Sequence, residues 1–207
     1  MKIAVIHASS QAGKNEFIYE TVKKYAKNSE VINLGCFLDD DNKYSYIDIS
    51  VLIGMLLYSG SVDFVVTGCS SGQGMMLACN NMPGVLCGYA YSPMDAYLFV
   101  QINNGNAISL PLGEEYTFSG YDNLESTIAK MFSEPFAQGY PKSEAARKLK
   151  DTEKLKNIRK NSQVDMLSLL DTLDEEMIQK ILSKKDVVAH ICACGKDDIV
   201  NWIQSKR

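Results

Sequence analysis

The chain of 207 residues is 46% hydrophobic, with a formal net charge of −4 and a pI near 5.3. That is enough apolar material for one α/β core plus a short appendage, and it lacks the basic field with which a general nucleic-acid binder gathers phosphate backbones. Six cysteines scattered through predicted strands and helices, with no apolar run of about 18 residues and a first strand that starts at once, point to reduced thiols in a soluble, cytoplasmic protein that makes no membrane contact.

Strands and helices alternate from the N-terminus onward. Ile3 to Ile6 reads as a buried strand, and Lys14 to Ala26 as a helix whose Phe17, Ile18, Val22 and Tyr25 recur at three and four. Glu30 to Leu34 makes a second strand stopped by Gly35, and Tyr46 to Tyr58 a second helix. Val62 to Thr67 is the third strand, and the run Gly68-Cys69-Ser70-Ser71-Gly72-Gln73-Gly74 leads from it into a third helix. Gly84 to Tyr89, Pro93 to Ile102, Asn106 to Leu110 and Asn123 to Phe132 supply strand, helix, strand and helix. Five such βα units predict a three-layer α/β/α fold, Rossmann-like, with a five-stranded parallel sheet and ligands at the carboxyl ends of its strands.

The pattern breaks at Pro135, Gly139 and Pro141. A stretch rich in Lys and Arg, Lys142 to Lys160, is followed by an amphipathic run through Val164, Leu167, Leu170 and Leu173, and then by short helices at Glu175 to Leu182 and Asp197 to Ile203. The expected organisation is an α/β domain over residues 1–140 and a helical extension over 141–207, packed on the core or on a second subunit.

A strand that empties into a Gly-rich turn and a helix leaves unpaired backbone N–H groups at the helix start, which favour anions, phosphate above all. Two short motifs compete for nearby residues. Ala8 to Asn15 approximates a Walker A loop, but Ala8 stands at its first Gly and Asn15 at its magnesium-binding hydroxyl. Gly68-Cys69-Ser70-Ser71-Gly72 matches a nucleophile elbow with Ser70 as the nucleophile of a hydrolase, yet only His190, in the tail, follows it.

A third reading rests on resemblance. Cys69-Ser70-Ser71-Gly72-Gln73-Gly74 with Ala78-Cys79-Asn80-Asn81 and Pro83-Gly84-Val85, followed by Asn103-Asn104-Gly105-Asn106-Ala107-Ile108, resembles the signatures of the ribose-5-phosphate isomerase B and galactose-6-phosphate isomerase family over residues 1 to 140. Residues beyond about 150 resemble an extra C-terminal domain found in one subgroup. The resemblance implies an aldose–ketose isomerase working through a cis-enediolate, without metal or cofactor, on a phosphorylated sugar, as a homodimer or homotetramer with shared sites.

Carried over residue by residue, the resemblance implies Cys69 as the base, at a helix start of the kind that lowers a thiol's pKa. Ser71 keeps the hydroxyl of the family's Thr, and the amides of Ser70, Gly72, Gln73 and Gly74 would hold the enediolate oxygens. Asn103 would contact substrate hydroxyls. Met75 stands where another branch of the family carries a Glu. For the phosphate, Lys142 and Arg147 fall in the matching stretch, and Ser9, Ser10, Gln11 and Lys14 are alternatives.

The departures concern one task. The family's Asp-His pair is Ala8-Ser9 here, and the His that opens the sugar ring falls on Ile102. An isoleucine can be neither acid nor base at a ring oxygen. The expected substrate is therefore open-chain, such as a tetrose or tetrulose 4-phosphate, which has no free hydroxyl with which to close a furanose. The alternative from a different class is a sugar-phosphate-binding protein that has lost turnover. Asp39-Asp40-Asp41 reads as a solvated loop, His190-Ile191-Cys192-Ala193-Cys194 lacks a fourth ligand at zinc spacing, and His7 is either a carbonyl polariser or a satisfied structural histidine.

Overall fold

The computed structural model describes residues 1–115 and 118–206. Five strands, β1 (Lys2–Val5), β2 (Glu30–Asn33), β3 (Phe64–Cys69), β4 (Cys87–Tyr89) and β5 (Ala107–Pro111), form one sheet in the order β2-β1-β3-β5-β4 with every pairing parallel. From β1 the chain moves outward to β2, then returns to the other side of β1 with β3. The crevice at the carboxyl ends of β1 and β3 is the place where such sheets bind ligands.

Strand periodicity divides the core into two layers. Ile3, Val5, Phe64, Val66, Ile108 and Leu110 face helices α1 (Asn15–Tyr25), α4 (Pro93–Leu98) and α5 (Tyr121–Met131). Ala4, Ile6, Val65 and Ala107 face α2 (Tyr46–Ser59) and α3 (Gln73–Asn81). This is the alternation that a sheet covered on both faces requires.

Some boundaries move, for visible reasons. β3 runs on through Gly68 and Cys69, because they pair with Leu110 and Pro111 of β5. A Cβ at Gly68 would lie 2.5 Å from the Leu110 carbonyl oxygen, so the strand can approach that closely only without a side chain. The helix expected to start at Lys14 is preceded by a 3₁₀ turn over Ser9–Lys14. The helix expected to reach Ile102 ends at Leu98 and continues as a wide π turn, Phe99–Asn103, which lays the Phe99 ring over Gly88 and Gly105.

The tail folds as α6 (Ala145–Ser162), α7 (Met166–Leu170), α8 (Glu175–Leu182), α9 (Lys185–Cys194) and α10 (Asp197–Ser205). α9 has no counterpart among the expected elements. α2 is apolar all round and buried from Ile49 to Leu56, as expected of a helix covered on every side. The sheet covers one side, while Met166, Leu170, Ile178, Ile181, Val188, Ile191 and Trp202 of the tail join the same core cluster. Beyond α6 the tail is thus continuous with the core of residues 1–140. No helix among the described residues is long and apolar enough to cross a membrane.

Candidate active site

Three segments meet at the carboxyl ends of β1 and β3 around a cavity of about 470 Å³: Ala8 and Ser10 at the start of the 3₁₀ turn, Tyr44–Tyr46 at the entrance to α2, and Cys69, Ser70, Ser71 and Gly74. Cys69, the last residue of β3, is 7% exposed. The loop carbonyls are engaged toward β5: Leu112 N–H donates to Cys69 O, Gly113 N–H to Ser70 O, and Ser109 Oγ to Gly72 O at 2.7 Å. Gly72 turns the chain at φ 73°, a conformation that suits glycine. The first intrahelical bond runs from Met76 N–H to Gly72 O, so the amides of Gly74 and Met75 have no intrahelical acceptor. Ser71 Oγ accepts from Gln73 N–H at 3.3 Å.

Two helix N-termini border this cavity, and they differ. α2 is closed by a capping box, with Ser45 and Asp48 satisfying each other's backbone, and so brings a carboxylate to its own first turn. α3 has neither a side-chain cap nor an acidic residue in its first turn. Its positive end is left for an anion. No lysine or arginine lines the cavity among the described residues.

The first loop divides its duties. Ser10 lines the cavity. Ser9 clamps Tyr44, accepting from its N–H at 2.8 Å through Oγ while its own N–H donates to Tyr44 O. Gln11 Nε2 donates to Ser70 Oγ at 2.9 Å. Lys14 is drawn to Glu114 at 3.3 Å and lies over the Phe118 ring. His7 is fully buried; its Nδ1 faces Ala8 O and its Nε2 faces Asn15 Nδ2 at 3.2 Å each. Asn15 in turn exchanges two bonds with Asn33. Burial holds His7 down to about 4, so the ring is neutral and structural. His190 contacts Ser61 O, and with both rings placed elsewhere the Ser70 hydrolase arrangement is not assembled.

Met75 is fully buried and Gln73 is exposed, its side chain bonded to Tyr89. Asn103, Lys142 and Arg147 are not brought to Cys69 within one chain. Asn103 ends the π turn that precedes β5, whereas Cys69 pairs with Pro111 at the far end of that strand. The four residue steps from Ala107 to Pro111 alone span roughly 13 Å, beyond the reach of an asparagine. Lys142 and Arg147 are exposed, and Arg147 pairs with Glu144 and Asp151. α6 is held at the π-turn end, where Thr152 Oγ1 donates to Ile102 O at 2.6 Å. A larger cavity of about 800 Å³ opens there too, between Pro83–Gly84, Asn104–Asn106 and α6. Its Arg159 is spent on the carbonyls of Asn80 and Val85, and no thiol lines it.

The sequence reading missed the Tyr44–Tyr46 wall. Its one signal was Ser45 followed three residues later by Asp48 ahead of an apolar run, which marks a helix start. Asp40, read as solvated, is half-buried and bridges to Lys184 at 3.2 Å.

Cys69 thus ends a central strand beside the bare start of the next helix in a doubly covered parallel sheet. The sequence model of the ribose/galactose isomerase family matches residues 3–158, and the chain belongs to that family. A crystal structure of a 4-deoxy-L-threo-5-hexosulose-uronate ketol-isomerase, complexed with a tartrate, is 36% identical, covers 100% of this chain and 99% of its own, and superposes with a TM-score of 0.92. A ribose-5-phosphate isomerase from Vibrio parahaemolyticus is 34% identical, with 100% and 99% covered and a TM-score of 0.92. The type B ribose 5-phosphate isomerase of Trypanosoma cruzi, at 21% identity, shares the fold over 77% of this chain and 98% of its own, with a TM-score of 0.63. No curated protein matches the chain. As a sugar isomerase, the chain is not the non-catalytic binding protein kept as an alternative.

Proposed function

We propose that the chain is a ketol-isomerase of an open-chain, anionic sugar, with Cys69 as the base. The observation that carries this is Cys69 at the mouth of the cavity, next to amides at the uncapped start of α3. Cys69 as thiolate takes the proton from C2 of the aldose, and the electron pair moves through C1 onto O1. The N–H groups of Gly74 and Met75 hold that developing charge. The Ser71 hydroxyl relays the O2 proton to O1, and Cys69 returns its proton to C1. A 2-ketose leaves, isomeric with the aldose, and no oxidant or reductant is consumed.

The substrate class follows from Ile102 and from the lack of cationic side chains among the described residues that line the cavity. A 4-deoxy-5-hexosulose uronate, the class named for one full-length relative, has a ketone at C5 and no oxygen at C4. No hydroxyl is left to close a five- or six-membered ring on C1, so no ring-opening acid is required. Its single carboxylate, with half the charge of a phosphate, makes the smaller demand on a cavity whose described lining holds no lysine or arginine. A tetrose 4-phosphate shares the open chain and is the second reading, in which the bare start of α3 holds the phosphate instead of the enediolate oxygen.

Asn103 enters this scheme from a second copy, as in a dimer with shared sites. The test is proton exchange in heavy water, followed by NMR, at C2 of the aldoses 4-deoxy-L-threo-5-hexosulose uronate, erythrose 4-phosphate and ribose 5-phosphate and at C1 of the ketose erythrulose 4-phosphate. The expected order of turnover is uronate, then the four-carbon phosphates, then the pentose. Cys69→Ala abolishes exchange and leaves ligand affinity in place. Preference for ribose 5-phosphate, or exchange that survives in Cys69→Ala, refutes the proposal.

A further inference from the structure

Beyond residue 158 the chain lies outside the family match, yet one point of this tail reaches the wall of the Cys69 cavity. The junction between α8 and α9 presents Ser183 and Lys184 to the loop that enters α2. Ser183 Oγ lies 3.0 Å from Tyr44 OH and accepts from Asn42 Nδ2 at 3.2 Å. Lys184, its side chain 2% exposed, is held between Asp40 at 3.2 Å and Asp186 at 2.9 Å. Its ammonium also lies over the rings of Phe37 and Tyr44. Burial works against that charge, but the bonds to Asp186 and Asp40 prevail and hold Lys184 above the ordinary lysine range.

Tyr44 is the shared wall. One side of it lines the Cys69 cavity, and the other lines a second cavity of about 320 Å³ bounded by Phe37, Asn42, Ser183 and Lys184. Its backbone is pinned to Ser9 by two bonds, but its ring and hydroxyl are fixed by the tail. Next to it, the Tyr46 ring lies over Gly74, where an added Cβ would come within 3.4 Å of it. The tail thus sets how closely the Tyr44–Tyr46 segment approaches the start of α3.

We propose that Ser183 and Lys184 are positioning residues of the active site. By fixing Tyr44 they set the shape of the substrate cavity, so that the tail acts on substrate affinity and on access to Cys69. The affinity arm rests on reading the Cys69 cavity as the substrate site; the access arm does not depend on any substrate. A buried ion cluster that merely stabilised the fold would loosen every buried thiol together. A positioning cluster loosens Cys69 and leaves a thiol away from the cluster, such as Cys79, at its original rate.

The experiment uses the full chain and iodoacetamide, with alkylation of each cysteine followed by peptide mass spectrometry. Ser183→Ala is expected to speed labelling of Cys69 about fivefold, the size of the one hydrogen bond among those it removes that holds Tyr44, while Cys79, buried in α3, keeps its rate. Lys184→Met gives at least the same change, and Ser183→Thr, which keeps the hydroxyl, restores the original rate. Tyr44→Phe, cutting the same bond from the other side, adds nothing to Ser183→Ala. With substrate, Ser183→Ala raises KM by a similar factor and leaves kcat within about twofold. An unchanged Cys69 rate in Ser183→Ala, or Cys79 accelerating in step with it, overturns the proposal. If none of the sugars is turned over, the function proposed above fails, while the labelling result still decides this one. Should Lys184→Met not fold, Ser183→Ala decides it alone.

Discussion

Gly72→Ala tests the turn on which the site depends. Gly72 sits at φ 73°, and a Cβ there would meet Tyr89 Cε2 at 2.7 Å, Pro111 N at 2.9 Å and Leu110 C at 3.0 Å. The left-handed conformation costs alanine about 1–2 kcal/mol. The Tyr89 ring can rotate aside, but the two β5 backbone atoms cannot, and overpacking of that kind costs about 1–3 kcal/mol more. The expected loss is roughly 2–5 kcal/mol, read as a lower urea midpoint at unchanged m and a fall in Tm of roughly 10 °C for a chain of this size. The same shift displaces the Gly72 carbonyl from Ser109 Oγ and turns the α3 amides, so kcat/KM falls as well. A loss under about 1 kcal/mol at unchanged kcat/KM would refute the claim that this turn is conformationally fixed.

His7 predicts a pH dependence of stability. Its pKa is lowered from 6.5 to about 4 on folding by burial, so the unfolded chain binds the proton more tightly. Stability is therefore full above about pH 6.5 and declines as pH falls toward 4, by roughly 3 kcal/mol in total; His7→Gln flattens that slope in urea titrations taken between those values, and an unchanged slope counts against a buried neutral ring. The proposed shared site predicts subunit complementation. Mixing inactive Cys69→Ala and Asn103→Ala chains by unfolding and refolding restores about a quarter of wild-type activity, because half of the random dimers carry one intact site; no recovery at any mixing ratio removes Asn103 from the site.

The α/β alternation and the Gly68–Gly74 turn were legible because both are local: apolar period fixes element type, and a short run of Gly and hydroxyl residues after a strand fixes the turn. What was not legible was long-range. Ser9 carries the same hydroxyl as Ser10, and only its placement against Tyr44 commits it to structure while Ser10 faces the cavity. Asp40 looks no different from its exposed neighbours Asp39 and Asp41; its partner Lys184 lies 144 residues away. Asn103 was matched to a motif, although its place just before a predicted parallel strand already put it at the end of the sheet away from Cys69. Family membership was visible at the level of motifs, whereas the tail past residue 158 had no motif to show its role.

α2 explains why that tail is tied to the site. A helix with Ile49, Val51, Leu52, Ile53, Met55 and Leu56 all buried cannot stand with one face in water; burying such side chains is worth about 1.5–3 kcal/mol each. The sheet can cover only one side of it. Gly54 lets the other side be approached closely, since a Cβ there would lie 3.0 Å from the Met166 methyl of α7. The first residues of this helix are Tyr46 and its cap Ser45, which are also the cavity wall. Whatever seats α2 therefore seats the wall, and α7 to α10 seat α2. The Cys69 turn is built by the sheet, while the surface facing it is built by the tail, so under the proposed function a change in the tail alters which sugar fits without touching the proposed base.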